Sequence, residues 1–271
     1  EIESPKGYVL SEEEIAVTIG KVDEVVEIEL VNYFIKGNIA LTKVDEDYPD
    51  NKLSGAVFEV YSDTNGDGKL DKDDTLLGEM KELDGGVYQM SELRYGKYLV
   101  KESKAPTGFV LDEDVYAVSI EENGKTYTVE NKAGVGFINA AQKGSLKIVK
   151  TSSDGKVEDF SFRVTGVDYD KTFKTDKNGE IVIEGLRIGD YTVSEVNDKA
   201  SAGYILPADK QVTVKVDATA IVQMHNEFRD TPKTGDDFNL GLWVSLSVLS
   251  VVGAGVLGFV GYKNRKKKKE D

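Results

Sequence analysis

Not one cysteine occurs among the 271 residues, so the chain has neither a disulfide framework nor a thiolate metal site. Helical periodicity is nearly missing as well. With thirteen Tyr, ten Phe, many Val and Thr and only five Pro, the composition favours many short strands, and the class reads as all-β. Positive charge is in short supply, with 34 Lys and Arg against 49 Asp and Glu and a net charge of −15. So acidic a body repels phosphate backbones, which argues against nucleic acid as a partner. Its exception is the terminal KNRKKKKED, with six bases against two acids. The length leaves room for roughly two domains of ~100–200 residues each.

What is present is self-similarity. YGKYLVKESKAPTGFVLDEDVYAVSI (95–120) parallels IGDYTVSEVNDKASAGYILPADKQVTVKV (188–216), and the opening EIESPKGYVLSEEEIAVTI matches both from its glutamate onward. Upstream, KLSGAVFEVY (52–61) parallels KVEDFSFRVT (156–165), and IALTKVD (39–45) parallels LKIVKTS (146–152). Three copies follow. Residues 1–36 hold the C-terminal part of a truncated first copy, 37–133 the second and 144–228 the third, with 134–143 as a linker. DGG (84–86), ENG (122–124) and KNG (177–179) lie between alternating runs and mark hairpins. Each full copy reads as a seven-strand sandwich of Ig-like size.

Alternation along these strands places a polar residue on an inward face three times per copy. In copy two, Lys43 follows Ile39 and Leu41, Glu102 follows Tyr98 and Val100, and Asn131 follows Tyr127 and Val129. Copy three repeats the set as Lys150, Glu195 and Asn226, and copy one retains Glu1 and Asn32. The Glu-to-Asn spacings are 31, 29 and 31 residues in copies one to three. Unpaired buried charges cost several kcal/mol, so such groups are placed together or neutralised. Burial lowers a lysine pKa and raises a glutamate pKa, which sets a neutral amine beside a carboxylic acid able to shuttle protons. With the asparagine amide as electrophile, the chemistry is Lys–Asn isopeptide formation with loss of ammonia. A buried Lys–Glu pair with a hydrogen-bonded Asn is the plainer alternative.

The strand-one lysine, the YxVxE strand continued as ESKAPTGF or EIESPKGY, and the final-strand asparagine together resemble the Cna B-type, or SpaA-like, prealbumin-like domains of Gram-positive pilins and surface adhesins, over residues 1–228. The resemblance implies tandem β-sandwiches in which lysine and asparagine become joined autocatalytically with help from the glutamate. It pairs Lys43 with Asn131 through Glu102, and Lys150 with Asn226 through Glu195. Copy three departs in its VNDKASAGY loop, which leaves Glu195 in place. Glu1 and Asn32 have no lysine before them.

Copy two also carries SDTNGDGKLDKDDT (62–75), where Asp63, Asn65, Asp67, Lys69, Asp71 and Asp74 fall at the ligand positions of an EF-hand calcium loop, Lys69 through its carbonyl. A structural Ca²⁺ site is one reading and an acidic Asn-Gly and Asp-Gly turn the other. His225 alternates to the face opposite Asn226 and reads as a surface residue.

From 240 to 262 runs a stretch of 23 uncharged residues, enough at ~1.5 Å per residue to cross a ~30 Å hydrocarbon core as a single transmembrane helix, with Trp243 near its outer end. A basic flank follows, and TPKTG precedes it. This order resembles a sortase sorting signal of LPxTG type, mapped onto Thr231, Pro232, Lys233, Thr234 and Gly235 with threonine in place of leucine. The resemblance implies cleavage after Thr234 and covalent transfer to peptidoglycan, so that the membrane is crossed only before sorting. The expectation is a non-enzymatic surface stalk, adhesin or pilin subunit, partnered by sortase, the wall and other pilins. Domains that themselves bind an extracellular-matrix protein, or a stalk under a surface enzyme, are the alternatives.

Overall fold

A computed structural model describes residues 1–229, and every described strand lies within the expected all-β class, with no helix among the described residues. Copy two comprises β1 (Lys36–Asp45), β2 (Val57–Ser62), β3 (Thr75–Glu79), β4 (Lys81–Asp84), β5 (Val87–Arg94), β6 (Gly96–Lys104), β7 (Val115–Ile120), β8 (Thr126–Thr128) and β9 (Phe137–Asn139). Its sheets run β4-β5-β1-β8, with β9 also on β1, and β3-β2-β6-β7. Copy three comprises β10 (Lys143–Ser152), β11 (Ser161–Gly166), β12 (Tyr169–Lys174), β13 (Glu180–Arg187), β14 (Gly189–Glu195), β15 (Tyr204–Ile205), β16 (Lys210–Val214) and β17 (Thr219–Phe228). Its sheets run β13-β10-β17-β15 and β12-β11-β14-β16.

The alternation builds each core. Ile39 and Leu41 of β1 meet Phe58 and Val60 of β2 and Tyr98 and Val100 of β6, while Phe137 closes the space edge-on to Phe58 and Tyr116. In copy three Leu146, Ile148, Phe162, Val164, Tyr191, Val193, Val222 and Met224 do the same. Each such side chain stabilises its sandwich by ~1.5–3 kcal/mol when fully buried. Of the three expected hairpin turns only DGG closes a ladder, joining β4 to β5. KNG and ENG carry the chain from one sheet to the other, because each follows a strand whose partners lie in the opposite layer.

The first and last strands of each copy run parallel, which needs a crossover rather than a turn. Lys43 stands opposite Phe137, and Lys150 opposite Met224. In copy three that last strand is the unbroken β17. In copy two it is interrupted: β8 ends at Thr128, the chain makes an excursion closed by a Lys132–Gly136 bridge, and β9 re-enters beside β1. Gly136 permits the return, since its φ is +123° and a Cβ there would lie 2.8 Å from the Thr42 carbonyl. The segment expected to be a linker thus contains the final strand of copy two.

Residues 1–35 make a short antiparallel contact instead of strands. Tyr8 and Phe34 form a bridge and stack at 4.6 Å. Ile28 and Leu30, which alternate with Asn32, are exposed.

Candidate cross-link sites

Lys43 is fully buried, as are Glu102 and Lys150 within about one per cent of exposure. β1 and β10 carry the lysines inward by simple alternation. Lys43 Nζ donates to the Phe137 carbonyl at 2.9 Å and lies 5.5 Å from the centre of the Phe137 ring. Lys150 Nζ donates to the Thr151 carbonyl at 2.6 Å and lies 4.3 Å from the Phe160 ring centre. Burial lowers Lys43 to about 8, against the attraction of Glu102, Asp112 and Asp45. Burial likewise lowers Lys150, against Glu195 and Asp154. Both amines are thereby moved toward the neutral, nucleophilic form.

The glutamates occupy matching places: Glu102 pairs in register with Phe58, and Glu195 with Phe162. Burial raises Glu102, partly offset by hydrogen bonds from the Asp112 backbone amide and the Asn139 side chain. Glu195 is raised by burial in the same way, offset by Asn226. Amine and acid are therefore both biased to their uncharged forms.

The asparagine that bonds Glu102 is not Asn131, the one that alternation selected. Asn139 Nδ2 donates to Glu102 Oε1 and Oε2 at 2.9 and 2.8 Å, and Asn139 is buried. In copy three, Asn226 Nδ2 donates to Glu195 Oε1 at 2.6 Å, as expected. The registers coincide: Asn139 lies two residues beyond the partner of Lys43, and Asn226 two beyond the partner of Lys150. The amide oxygens Asn139 Oδ1 and Asn226 Oδ1 are buried without a hydrogen-bond partner, as is Glu195 Oε2. A buried unsatisfied carbonyl is costly, and these are the atoms on which negative charge would develop during attack at Cγ.

Asn131 has a different role. Its amide donates from Nδ2 to the Ile138 carbonyl at 2.8 Å and accepts the Ile138 N–H at 2.7 Å, so its side chain acts as a strand partner for β9. Asp112, held by the Tyr116 hydroxyl, accepts a further bond from Asn131 at 2.7 Å. It therefore positions the strand that carries Asn139. The excursion after β8 resets the alternation phase, which is why periodicity pointed to Asn131. A usable signal was the distance to the next copy, for Asn32 and Asn139 both stand five residues before the glycine of a KG pair (Gly37, Gly144). Asn32 Nδ2 also donates to Glu1 Oε1 at 2.8 Å, in an exposed setting.

The 62–75 loop is knitted by its own backbone. Asp63 accepts the Gly66 and Gly68 amides at 2.7 and 3.1 Å, and Asp74 accepts those of Thr64 and Asp71. Asp67 accepts the Lys69 amide, and Asn65 bonds Asp71. Among the described residues no group of three or more metal-ligating side chains is gathered at one point. These bonds order the loop and leave further lone pairs on the same carboxylates, and the calcium reading of Asp63, Asn65, Asp67, Lys69, Asp71 and Asp74 is a matter for titration with the ion. His225 is exposed and bonds Thr151 and Glu227. Thr231, Pro232, Lys233, Thr234, Gly235 and the 240–262 span lie outside the described residues.

The SpaA prealbumin-like fold domain model matches the chain twice, over 37–133 and 144–228. The chain belongs to that family. Its two matched stretches hold both Lys–Glu pairs, and the asparagine of copy two lies just past the first of them. Among solved structures, the TIE protein of Bacillus anthracis is similar at a TM-score of 0.64 and 26% identity, over 84% of this chain and 40% of that one. This chain thus spans well under half the length of that relative. The minor pilin GBS52 of Streptococcus agalactiae aligns at TM-score 0.33 and 18% identity, over 74% of this chain and 99% of that one. The shaft pilin SpaA of Lactobacillus rhamnosus GG, as a D295N mutant, aligns at 0.34 and 15%, over 72% and 99%. No curated protein matches the chain.

Proposed function

We propose that the chain is a load-bearing stalk or pilin-type subunit of a Gram-positive surface, non-enzymatic toward other molecules, whose sandwiches lock themselves by Lys43–Asn139 and Lys150–Asn226 isopeptide bonds. The observation that carries this is the recurrence, in both sandwiches, of one register with a buried lysine and a Glu–Asn hydrogen bond. In each, the neutral lysine Nζ attacks the asparagine Cγ, forming Nζ–Cγ and breaking Cγ–Nδ2. The protonated glutamate, facing an amide turned so that Oδ1 accepts its proton, polarises the carbonyl. It then relays the lysine proton to the departing nitrogen, and ammonia leaves.

The bond joins first and last strands that run parallel, so tension between the ends of a sandwich loads a covalent link before the hydrogen-bonded ladder. A cysteine-free chain gains by it the stiffness other extracellular proteins take from disulfides. The TPKTG, apolar span and basic tail support attachment to peptidoglycan by sortase through Thr234. Intact-mass measurement tests the reading: the chain should be lighter than its sequence by one ammonia per bond, and Glu102→Ala should remove one loss and leave the other. A full calculated mass would overturn it.

A further inference from the structure

Beyond the two sites, the junction between the sandwiches contains one heavily built contact. Arg187, at the end of β13 in copy three, reaches into copy two and holds Asp45 with two hydrogen bonds of 2.6 and 2.8 Å. It also bonds Asp47 at 3.0 Å, and its guanidinium lies 4.9 Å from the Tyr48 ring centre and 5.8 Å from that of Phe109. Asp45 is only 2% exposed. It sits two residues after Lys43, on the same face of β1, and pairs in register with Asn139.

The acceptor strand is held at the same junction. Immediately after Asn139, the Ala140 carbonyl accepts from Val110 at 2.9 Å, Gln142 N–H donates to Gly108 at 2.8 Å, and the Gln142 carbonyl accepts the Ile188 N–H of copy three at 3.1 Å. In copy three the counterpart of Asp45 is Ser152, opposite Asn226, and its hydroxyl bonds Asp154 and Lys156 of its own sandwich. The acid is thus found where a neighbouring sandwich supplies an arginine to cover it.

We propose that Arg187 is a cross-domain positioning residue for the copy-two bond: docking of copy three through Arg187 engages Asp45 and completes the Lys43–Asn139 site. This rests on the isopeptide reading above. Three carboxylates face Lys43, namely Glu102 on β6, Asp112 on the loop after it and Asp45 on its own strand. Burial alone would raise the Asp45 carboxyl, but the Arg187 hydrogen bonds hold it ionised below its ordinary value. With Arg187 in place, that charge is spent on guanidinium. Without it, the Asp45 charge is left to favour the Lys43 ammonium two residues away on the same face, and a protonated amine does not attack. Copy two, which is synthesised first, therefore cross-links efficiently only once copy three has folded against it.

The test uses the full chain, kept unreacted in denaturant and refolded by dilution between about pH 6 and 9, with both cross-linked peptides followed by mass spectrometry over time. An uncompensated carboxylate near a lysine shifts it by at least about one unit, so Arg187→Gln should slow Lys43–Asn139 formation about tenfold and move its rate profile upward by about one pH unit. Lys150–Asn226 formation serves as the internal control for folding and should be unchanged. Adding Asp45→Asn to Arg187→Gln should restore both rate and profile. Wild-type kinetics in Arg187→Gln, or slowing with neither a profile shift nor rescue, would overturn the proposal. Absence of either bond in the unaltered chain would instead overturn the isopeptide reading.

Discussion

Replacing Asn139 by alanine should remove one ammonia loss from the mass of the chain, while replacing Asn131 should remove none. The two variants differ in energy as well. A bond from residue 43 to residue 139 closes a loop of about a hundred residues, for which the chain-entropy estimate is ~4–5 kcal/mol. Asn139→Ala forfeits that term and leaves Glu102 with only the Asp112 backbone amide as donor. At 4–8 °C per kcal/mol for a domain of this size, the copy-two transition should fall by roughly 16–40 °C. Asn131→Ala keeps the cross-link but loses two bonds to Ile138 and one to Asp112, which costs about 1–3 kcal/mol. The assay is intact mass followed by a calorimetric melt of the same samples. If Asn131→Ala abolishes the ammonia loss and Asn139→Ala preserves it, the register argument is wrong.

Other outcomes follow from the same geometry. Asn226→Ala should suppress the copy-three bond alone and lower that sandwich's melting by a similar amount, read by the same two measurements. Because attack needs Lys43 neutral and Glu102 protonated, the rate of cross-linking in copy two should pass through an optimum and fall at both lower and higher pH, read from a pH–rate profile. In the unreactive Asn139→Ala chain the folded state binds the Lys43 proton less tightly than the unfolded one, so stability should rise with pH from about 8 toward the ordinary lysine value of 10.5, as followed by urea titration. Tyr191→Phe removes the hydroxyl bond to the Arg187 carbonyl and should cost about 0.5–1.5 kcal/mol in a denaturant titration. Calcium titration tests the 62–75 loop: a structural ion there should raise the melting of copy two, and a melt unchanged by calcium would refute the calcium reading.

Strand class, the repeat and both lysines were legible in the sequence because each rests on a local period. A run such as NIALTKVD states which side chains share a face, whatever lies across from it, and the repeat then supplied the matching glutamates. Lys43, Lys150, Glu102 and Glu195 all take the inward positions read from alternation. Asn226 was equally legible, since β17 runs unbroken from Thr219 through Asn226 to Phe228. The turns were less so: KNG and ENG have hairpin composition but connect two layers, a choice made by which strand the next one packs beside.

What only the tertiary structure decided is which residues of distant strands meet. Asn131 and Asn139 both stand on an inward-reading pattern, and no local property separates them, because the excursion at 130–136 breaks the phase. Parallel pairing with β1 settles it, since the register sets Phe137, Ile138 and Asn139 beside Lys43, Val44 and Asp45 one by one. The same holds for Asp45, an unremarkable acid in sequence that the fold buries against Arg187 of the next sandwich. Periodicity dictates which way a side chain faces; long-range register dictates what it faces, and the proposed cross-link needs both.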